Sequence, residues 1–164
     1  HKNNVVAYGD STWAMLDIAK RTPIRANTLL NNIEVADEMV FGTHRHKQPV
    51  SKEVAYSHTH ITNKSDADFN HHVTNMTYLY ACLAALPTEY QESHTVTELG
   101  IWFKQESFIG ESMECTVYAT EEPDLWNFRI VTAGERVSCL ATIRYADKPE
   151  AVINMSNDNL EIRQ

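Results

Sequence analysis

SDADFNHHVTNMTYLYACLAAL, Ser65 to Leu86, is the stretch on which the fold turns. It opens as a turn crowded with Asp66, Asp68, Asn70, His71, His72 and Asn75, and it closes as an apolar run. Val73, Met76, Tyr80, Leu83 and Ala84 recur at three- and four-residue spacing, the period of one helix face, and Pro87 stops the run. The spacing predicts an amphipathic helix that begins near His71 or His72. A helix N-terminus leaves backbone N–H groups free and carries a partial positive charge, which suits an oxygen gaining negative charge. Carboxylate, amide and imidazole groups gathered at that end point to a reaction at a carbonyl.

Outward from the helix, the pattern becomes that of strands. Val54 to Thr62 alternates and predicts a strand leading into the polar turn. Beyond Pro87, strand-like runs cover Ser93 to Gln105, Met113 to Thr120, Leu125 to Thr132 and Arg136 to Tyr145. Turn-forming sequences break them at FIGES (108–112), EEPD (121–124) and AGE (133–135). One strand, one helix and four more antiparallel strands predict an α+β domain with the helix covering one sheet face. A single helix is too small to hide a five-stranded sheet. A second such unit, from another chain or an adjacent domain, is therefore expected.

Upstream the pattern weakens. The chain begins at His1 without a methionine, as an added remnant or the middle of a longer sequence would. Val5 to Asp17 alternates around Trp13, Met15 and Leu16 and predicts a strand, with Thr22-Pro23 as a turn or strand end. Residues 27–52 hold polar patches, the basic run THRHKQP at 43–49, and at most a short helix at Ile33 to Met39. They read as a linker. The tail from Asp147 has weak periodicity and is expected to fray or pack loosely.

Composition sets the outer limits. A length of 164 residues suits one domain or a domain plus a fragment, and 43% apolar residues suffice for a core. A net charge of −8, scattered along the chain, argues against a nucleic-acid partner. No apolar run is long enough to span a membrane, and no secretory signal is visible. Cys82, Cys115 and Cys139 lie in apolar segments without metal-ligand spacing. They read as reduced structural residues, which favours a reducing compartment. His44/His46 and His58/His60 have i,i+2 spacing, but no cysteine accompanies them and no zinc pattern follows, so no metal is expected. No glycine-rich phosphate loop and no serine elbow is present.

The same stretch resembles a known family. Ser65, Asp66, Asp68, Asn70, His72, Val73, Asn75 and Tyr78 follow the second-domain motif of the acyl-acyl-carrier-protein thioesterases, which have two fused hot-dog domains and occur in plant plastids and bacteria. GDSTWAMLDIAKRTPIR is similar to the closing strands of that family's first domain, through Gly9, Ser11, Thr12, Trp13, Asp17, Arg21, Pro23 and Arg25. The resemblance implies an α+β hot-dog fold, an antiparallel sheet wrapped around a central helix. It divides the chain into closing strands of a first domain (1–26), a linker (27–49), a complete hot-dog domain (50–147) and a tail (148–164).

It also implies hydrolysis of fatty acyl thioesters of acyl carrier protein, with Asp68, Asn70 and His72 matching the family's active-site residues. An imidazole can move a proton near neutral pH, an amide can orient the nucleophile or donate to the thioester oxygen, and a carboxylate can polarise its neighbours. Where plant relatives carry glutamate then cysteine, this chain has Glu106 and Ser107. Glu106 is expected to activate water. The serine weighs against a covalent thiol mechanism, because a hydroxyl is far less ionised than a thiol. Ser107, Asn75 and Tyr78 are expected to contact substrate or tie the helix to its surroundings. The resemblance implies no cofactor, and a missing first domain or a second copy as partner. It implies a bacterial cytoplasm, with a plastid as the other compartment. An acyl-CoA thioesterase and a non-catalytic acyl-binding or assembly module are the alternatives.

Each residue also has a plain structural reading. Asp66 reads as a turn or capping group, Asp68 and Asn70 as caps, His71 as a surface group, His72 as a hydrogen-bonded core histidine, and Glu106 as an exposed strand-end carboxylate.

Overall fold

The structure is a computed structural model that describes residues 5–17, 19–20, 22–25, 48 and 51–149. The chain divides into two units, residues 1–46 and 47–164. The anticipated helix at 33–39, the histidines at 44 and 46, and the tail beyond residue 149 lie outside the described residues.

In the first unit, β1 (Met15–Asp17) pairs antiparallel with β2 (Thr22–Ile24). The Asp17 carboxylate closes the connection by accepting from the backbone N–H groups of Ala19 and Lys20, both at 2.9 Å. Aspartate bonding to the backbone two and three residues on is a turn-forming device. Pro23 lies inside β2 opposite Leu16, not at a strand end. Only the last three residues of the alternating run 5–17 form a strand; residues 5–14 are exposed and without regular structure. Alternation gives a chain the right faces for a sheet, but pairing requires a neighbouring strand.

The second unit runs β3 (Val54–Ile61), a one-turn 3-10 helix (Lys64–Asp66), α1 (Asn75–Ala84), α2 (Thr88–Ser93), β4 (His94–Phe103), β5 (Ser112–Ala119), β6 (Leu125–Thr132) and β7 (Arg136–Asp147). The five strands form one antiparallel sheet in the order β3-β5-β6-β7-β4. Two cross-strand rows build the face beneath α1. One is Cys115–Ile130–Cys139–Phe103 and the other Val117–Phe128–Ala141–Ile101. Tyr78, Ala81 and Cys82 of α1, followed by Ala85 and Leu86, close over them as one hydrophobic cluster. Met113, Phe128, Ile130 and Ile143 are fully buried. Each contributes on the order of 1.5–3 kcal/mol through the apolar surface it removes from water.

The helix departs from the sequence reading in two ways. It starts at Asn75, later than the expected His71 or His72, because Thr74 takes the N-cap position and accepts from Thr77 N–H. Its buried face is Thr77, Tyr78, Ala81 and Cys82, while Met76 and Tyr80 of the expected stripe are 50% and 61% exposed. The helix is apolar on several sides, so more than one series of three- and four-residue spacing is present. Which series is buried is decided by the sheet. The short helix α2, which follows Pro87 directly, was not anticipated.

The three thiols are free and buried. Burial, with Cys115 nearby, pushes the Cys139 thiol up to about 12. A hydrogen bond with Cys115, reinforced by burial, pushes Cys82 upward as well. Thiols held in the neutral form pack as small hydrophobes and are poor nucleophiles.

Candidate active site

The segment between β3 and α1 folds back on itself. Single antiparallel bridges join Ala67 to Val73 and His72 to Phe108. The Asp68 carboxylate organises this turn through Oδ1, which accepts from Asn70 N–H at 2.8 Å and from His72 N–H at 3.1 Å. Asp68 N–H in turn donates to the His72 carbonyl at 2.9 Å, and His71 N–H to the Asp68 carbonyl at 3.1 Å. His71 takes a positive φ of 63° at the apex. Side-chain-to-backbone bonding of this kind competes with helix formation, which explains why the helix waits for Thr74. Partial loss of solvent works to raise the pKa of Asp68. The N–H groups of His72 and Asn70, the Asn70 side-chain amide and the neighbouring imidazole outweigh it and hold the pKa below the ordinary carboxylate value.

A second segment meets this turn. Past the end of β4, Lys104 and Gln105 N–H groups both donate to the Ser138 carbonyl, at 2.8 and 3.2 Å, extending the β4–β7 pairing. The chain then passes Glu106 and Ser107, and the Ser107 carbonyl accepts from Val73 N–H at 2.9 Å. Behind it, Glu111 fastens the following loop. One carboxylate oxygen accepts from Phe108 N–H at 3.1 Å, and the other pairs with Arg136 at 2.9 Å.

Between the two segments lies a cleft of about 290 Å³, lined by residues that include Asp68, His72, Asn75, Tyr78, Phe103 and Glu106. His72 Nε2 stands 3.9 Å from Glu106 Oε2, and these side chains are 35% and 48% exposed. The His72 ring packs edge-on against Phe108, with centroids 5.4 Å apart. The Tyr78 ring meets Phe103 in the same manner at 5.6 Å. The Tyr78 hydroxyl donates weakly to the Gln105 carbonyl at 3.4 Å, and burial raises its pKa. One imidazole, two carboxylates, two amides and two aromatic rings thus line the same cleft.

Five of the seven site residues read from the sequence line this cleft: Asp68, His72, Asn75, Tyr78 and Glu106. Asn70 is held beside Asp68 but is exposed and does not line it. Ser107 is fully buried and does not line the cleft; its hydroxyl makes no close hydrogen bond among the described residues and has the Tyr78 hydroxyl as its polar neighbour. Asn70 and His72 lie in the turn before α1, which starts at Asn75 rather than near His71 or His72 as expected. Lys104 and Gln105 also line the cleft, and the sequence reading passed over them. Their signal was position alone, between Phe103 and Glu106 in WFKQES.

The C-terminal domain model of the acyl-ACP thioesterases matches residues 49–148. The chain belongs to this family. The thioesterase family member resembles, in structure, an acyl-ACP thioesterase from Bacteroides thetaiotaomicron (TM-score 0.65, 15% identity, 80% of this chain and 53% of that one). It also resembles the 12:0-ACP thioesterase from Umbellularia californica (TM-score 0.64, 14% identity, 81% and 53%). A Staphylococcus aureus protein solved in complex with CoA is similar at TM-score 0.52 and 13% identity, over 58% of this chain and 76% of that one. At such identities the likeness is one of fold, and the fold is the α+β hot-dog. The chain spans 53% of the length of the first two relatives. No curated protein sequence matches it. Among the described residues, no helix is long and apolar enough to cross a membrane, and no three His, Cys, Asp or Glu side chains are grouped to hold a metal.

Proposed function

We propose that this chain is the catalytic-site half of a thioesterase that hydrolyses fatty acyl thioesters of acyl carrier protein and releases the free fatty acid. The observation that carries the reading is the meeting of His72, Glu106 and Asp68 in one cleft, with His72 Nε2 and Glu106 Oε2 3.9 Å apart. That separation exceeds a hydrogen bond but lets both groups bond the same water molecule. Glu106 takes a proton from that water as its oxygen attacks the thioester carbonyl. A C–O bond forms and the carbonyl electron pair moves onto oxygen. The tetrahedral intermediate collapses, the C–S bond breaks, and the thiolate leaves with the proton held by Glu106. His72 orients the water, and Asp68 fixes His72 through its backbone N–H. Asn75, on the first turn of α1, offers its amide to the carbonyl oxygen.

Ser107 takes no nucleophilic part in this scheme. Its hydroxyl is buried outside the cleft lining, which supports direct attack by water. The partner in the scheme is a second hot-dog unit, either a first domain whose closing strands are residues 1–26 or another copy. The likeness to a protein solved with CoA supports an acyl-CoA substrate as the second reading.

Turnover of a fatty acyl thioester panel decides between these readings. The full-length protein is expected to release fatty acid from acyl carrier protein faster than from CoA. Preference for CoA selects the second reading, and no release from either overturns both.

A further inference from the structure

The opposite flank of α1 holds a smaller cleft of about 120 Å³, walled in part by His60, Asp66 and Thr77. His60 Nε2 stands 3.0 Å from Asp66 Oδ2, with the side chains 32% and 14% exposed. The same oxygen accepts from Asn63 N–H at 2.8 Å, completing a capping box around the 3-10 turn. The other carboxylate oxygen lies 3.5 Å from Thr77 Oγ1. The Asp66 carbonyl accepts from Thr74 N–H at 2.8 Å and from Thr77 Oγ1 at 3.3 Å. One residue therefore ties a strand, a turn and the start of α1 together.

The next residues carry the connection to the active cleft. Ala67 is bridged to Val73, and Asp68 receives the N–H groups of Asn70 and His72. We infer that His60 is a positioning residue, which sets the turn bearing Asp68 and His72 by clamping Asp66. His60 does not line the active cleft and touches no reacting group. It lies on β3, and β3 is paired along its length with β5, so the clamp refers the turn to the sheet. Carboxylates that only cap a turn need backbone donors. The added imidazole makes the height of the turn over the sheet depend on a side chain. This inference rests on the hydrolase reading for its kinetic consequence and on the hydrogen bonds alone for its structural one.

The test uses His60→Ala and His60→Gln in the full chain. It measures kcat and KM on an acyl thioester, and amide hydrogen exchange at Asn70, His72 and the distant Ile130. A misplaced catalytic group typically costs about ten- to a hundredfold in rate, so kcat of His60→Ala should fall by that much. KM should stay within about twofold, since ground-state binding is untouched. Exchange at Asn70 and His72 should quicken about tenfold while Ile130 is unchanged. His60→Gln keeps an N–H that can reach Asp66, and it should recover most of the loss. If His60→Ala does not fold, His60→Gln with near-native kcat and exchange sustains the inference, and His60→Gln with both impaired ends it. Unchanged kcat and exchange in a folded His60→Ala, or exchange quickened equally at Ile130, overturns it. If the parent protein hydrolyses no acyl thioester, the function above fails, and the exchange at Asn70 and His72 still decides this inference.

Discussion

The two flanks of α1 each place a histidine against a carboxylate, and they differ in how closely the pair is held and how far it is exposed. Facing β3, His60 and Asp66 touch at 3.0 Å, and both Asp66 carboxylate oxygens are engaged by the surrounding turn and helix. Facing the segment after β4, His72 and Glu106 stand 3.9 Å apart, are more exposed, and share a cleft with Tyr78 and Phe103. A pair at hydrogen-bond distance, with a backbone N–H on one carboxylate oxygen and a hydroxyl near the other, has its geometry fixed by its surroundings. A pair held just beyond that distance, on separate segments, can act on what comes between them. Residue type does not distinguish the two flanks; spacing and exposure do.

The sharpest way to break the comparison is to remove the open pair. His72→Ala and Glu106→Ala should each lower kcat by about a hundredfold to ten-thousandfold, the usual cost of a lost acid–base group. Melting temperature should change little, because both side chains are partly exposed. Native kcat in either folded variant would strike that residue from the mechanism.

Breaking the closed pair should lower stability as well as rate. Asp66→Ala removes a capping box and should cost about 1–2 kcal/mol of stability, measured by urea unfolding. A stability loss too small to detect would show that the backbone alone holds the turn.

Acid should separate Asp68 from both. Its folded pKa is depressed, so the stability it gives the turn is fully present above its unfolded value of about 3.9 and is lost as pH falls through the lower folded pKa. Asp68→Asn retains an oxygen for the N–H groups of Asn70 and His72 but cannot titrate. The wild-type His72 amide signal should shift in strong acid, while that of Asp68→Asn should stay put. Equal shifts would remove Asp68 as the cause.

The smallest effect belongs to Ser107→Ala. It deletes a buried hydroxyl whose polar neighbour is the Tyr78 hydroxyl, with no close hydrogen bond between them, so the melting temperature should change little. Turnover should remain substantial, and no acyl-enzyme should accumulate. An acyl group trapped on Ser107 in mass spectra would replace direct water attack with covalent catalysis.

The sequence was most legible where one face is buried and the other is not. β6 begins and ends at Leu125 and Thr132, as the strand-like run between its flanking turn sequences indicated, and β5 and β7 fall close to their expected bounds. The polar turn was legible as a site because Asp68 and His72 are local to each other. Glu106 required knowledge of which strand runs beside that turn, and the family motif supplied it. The start of α1 was not legible. Asp68 bonding to its own downstream backbone and Thr74 capping Thr77 are contests between side chains that periodicity does not register. The buried face of α1 was misread for a related reason, since Met76 and Tyr80 are as apolar as Tyr78 and Cys82. The flanking run Val5 to Asp17 shows the limit of alternation, for only Met15–Asp17 pairs with a neighbour.

The bond from Val73 N–H to the Ser107 carbonyl, with the adjoining bridge from His72 to Phe108, has a consequence for heating. These two links join the segments that carry His72 and Glu106. Both segments lie outside the main strands, and they are secured far less densely than the rows of β5, β6 and β7. Local opening draws first on such thinly bonded regions. On the proposed hydrolase reading, warming should therefore silence turnover while the sheet still gives a folded signal, and cooling from that point should restore turnover without refolding the whole domain.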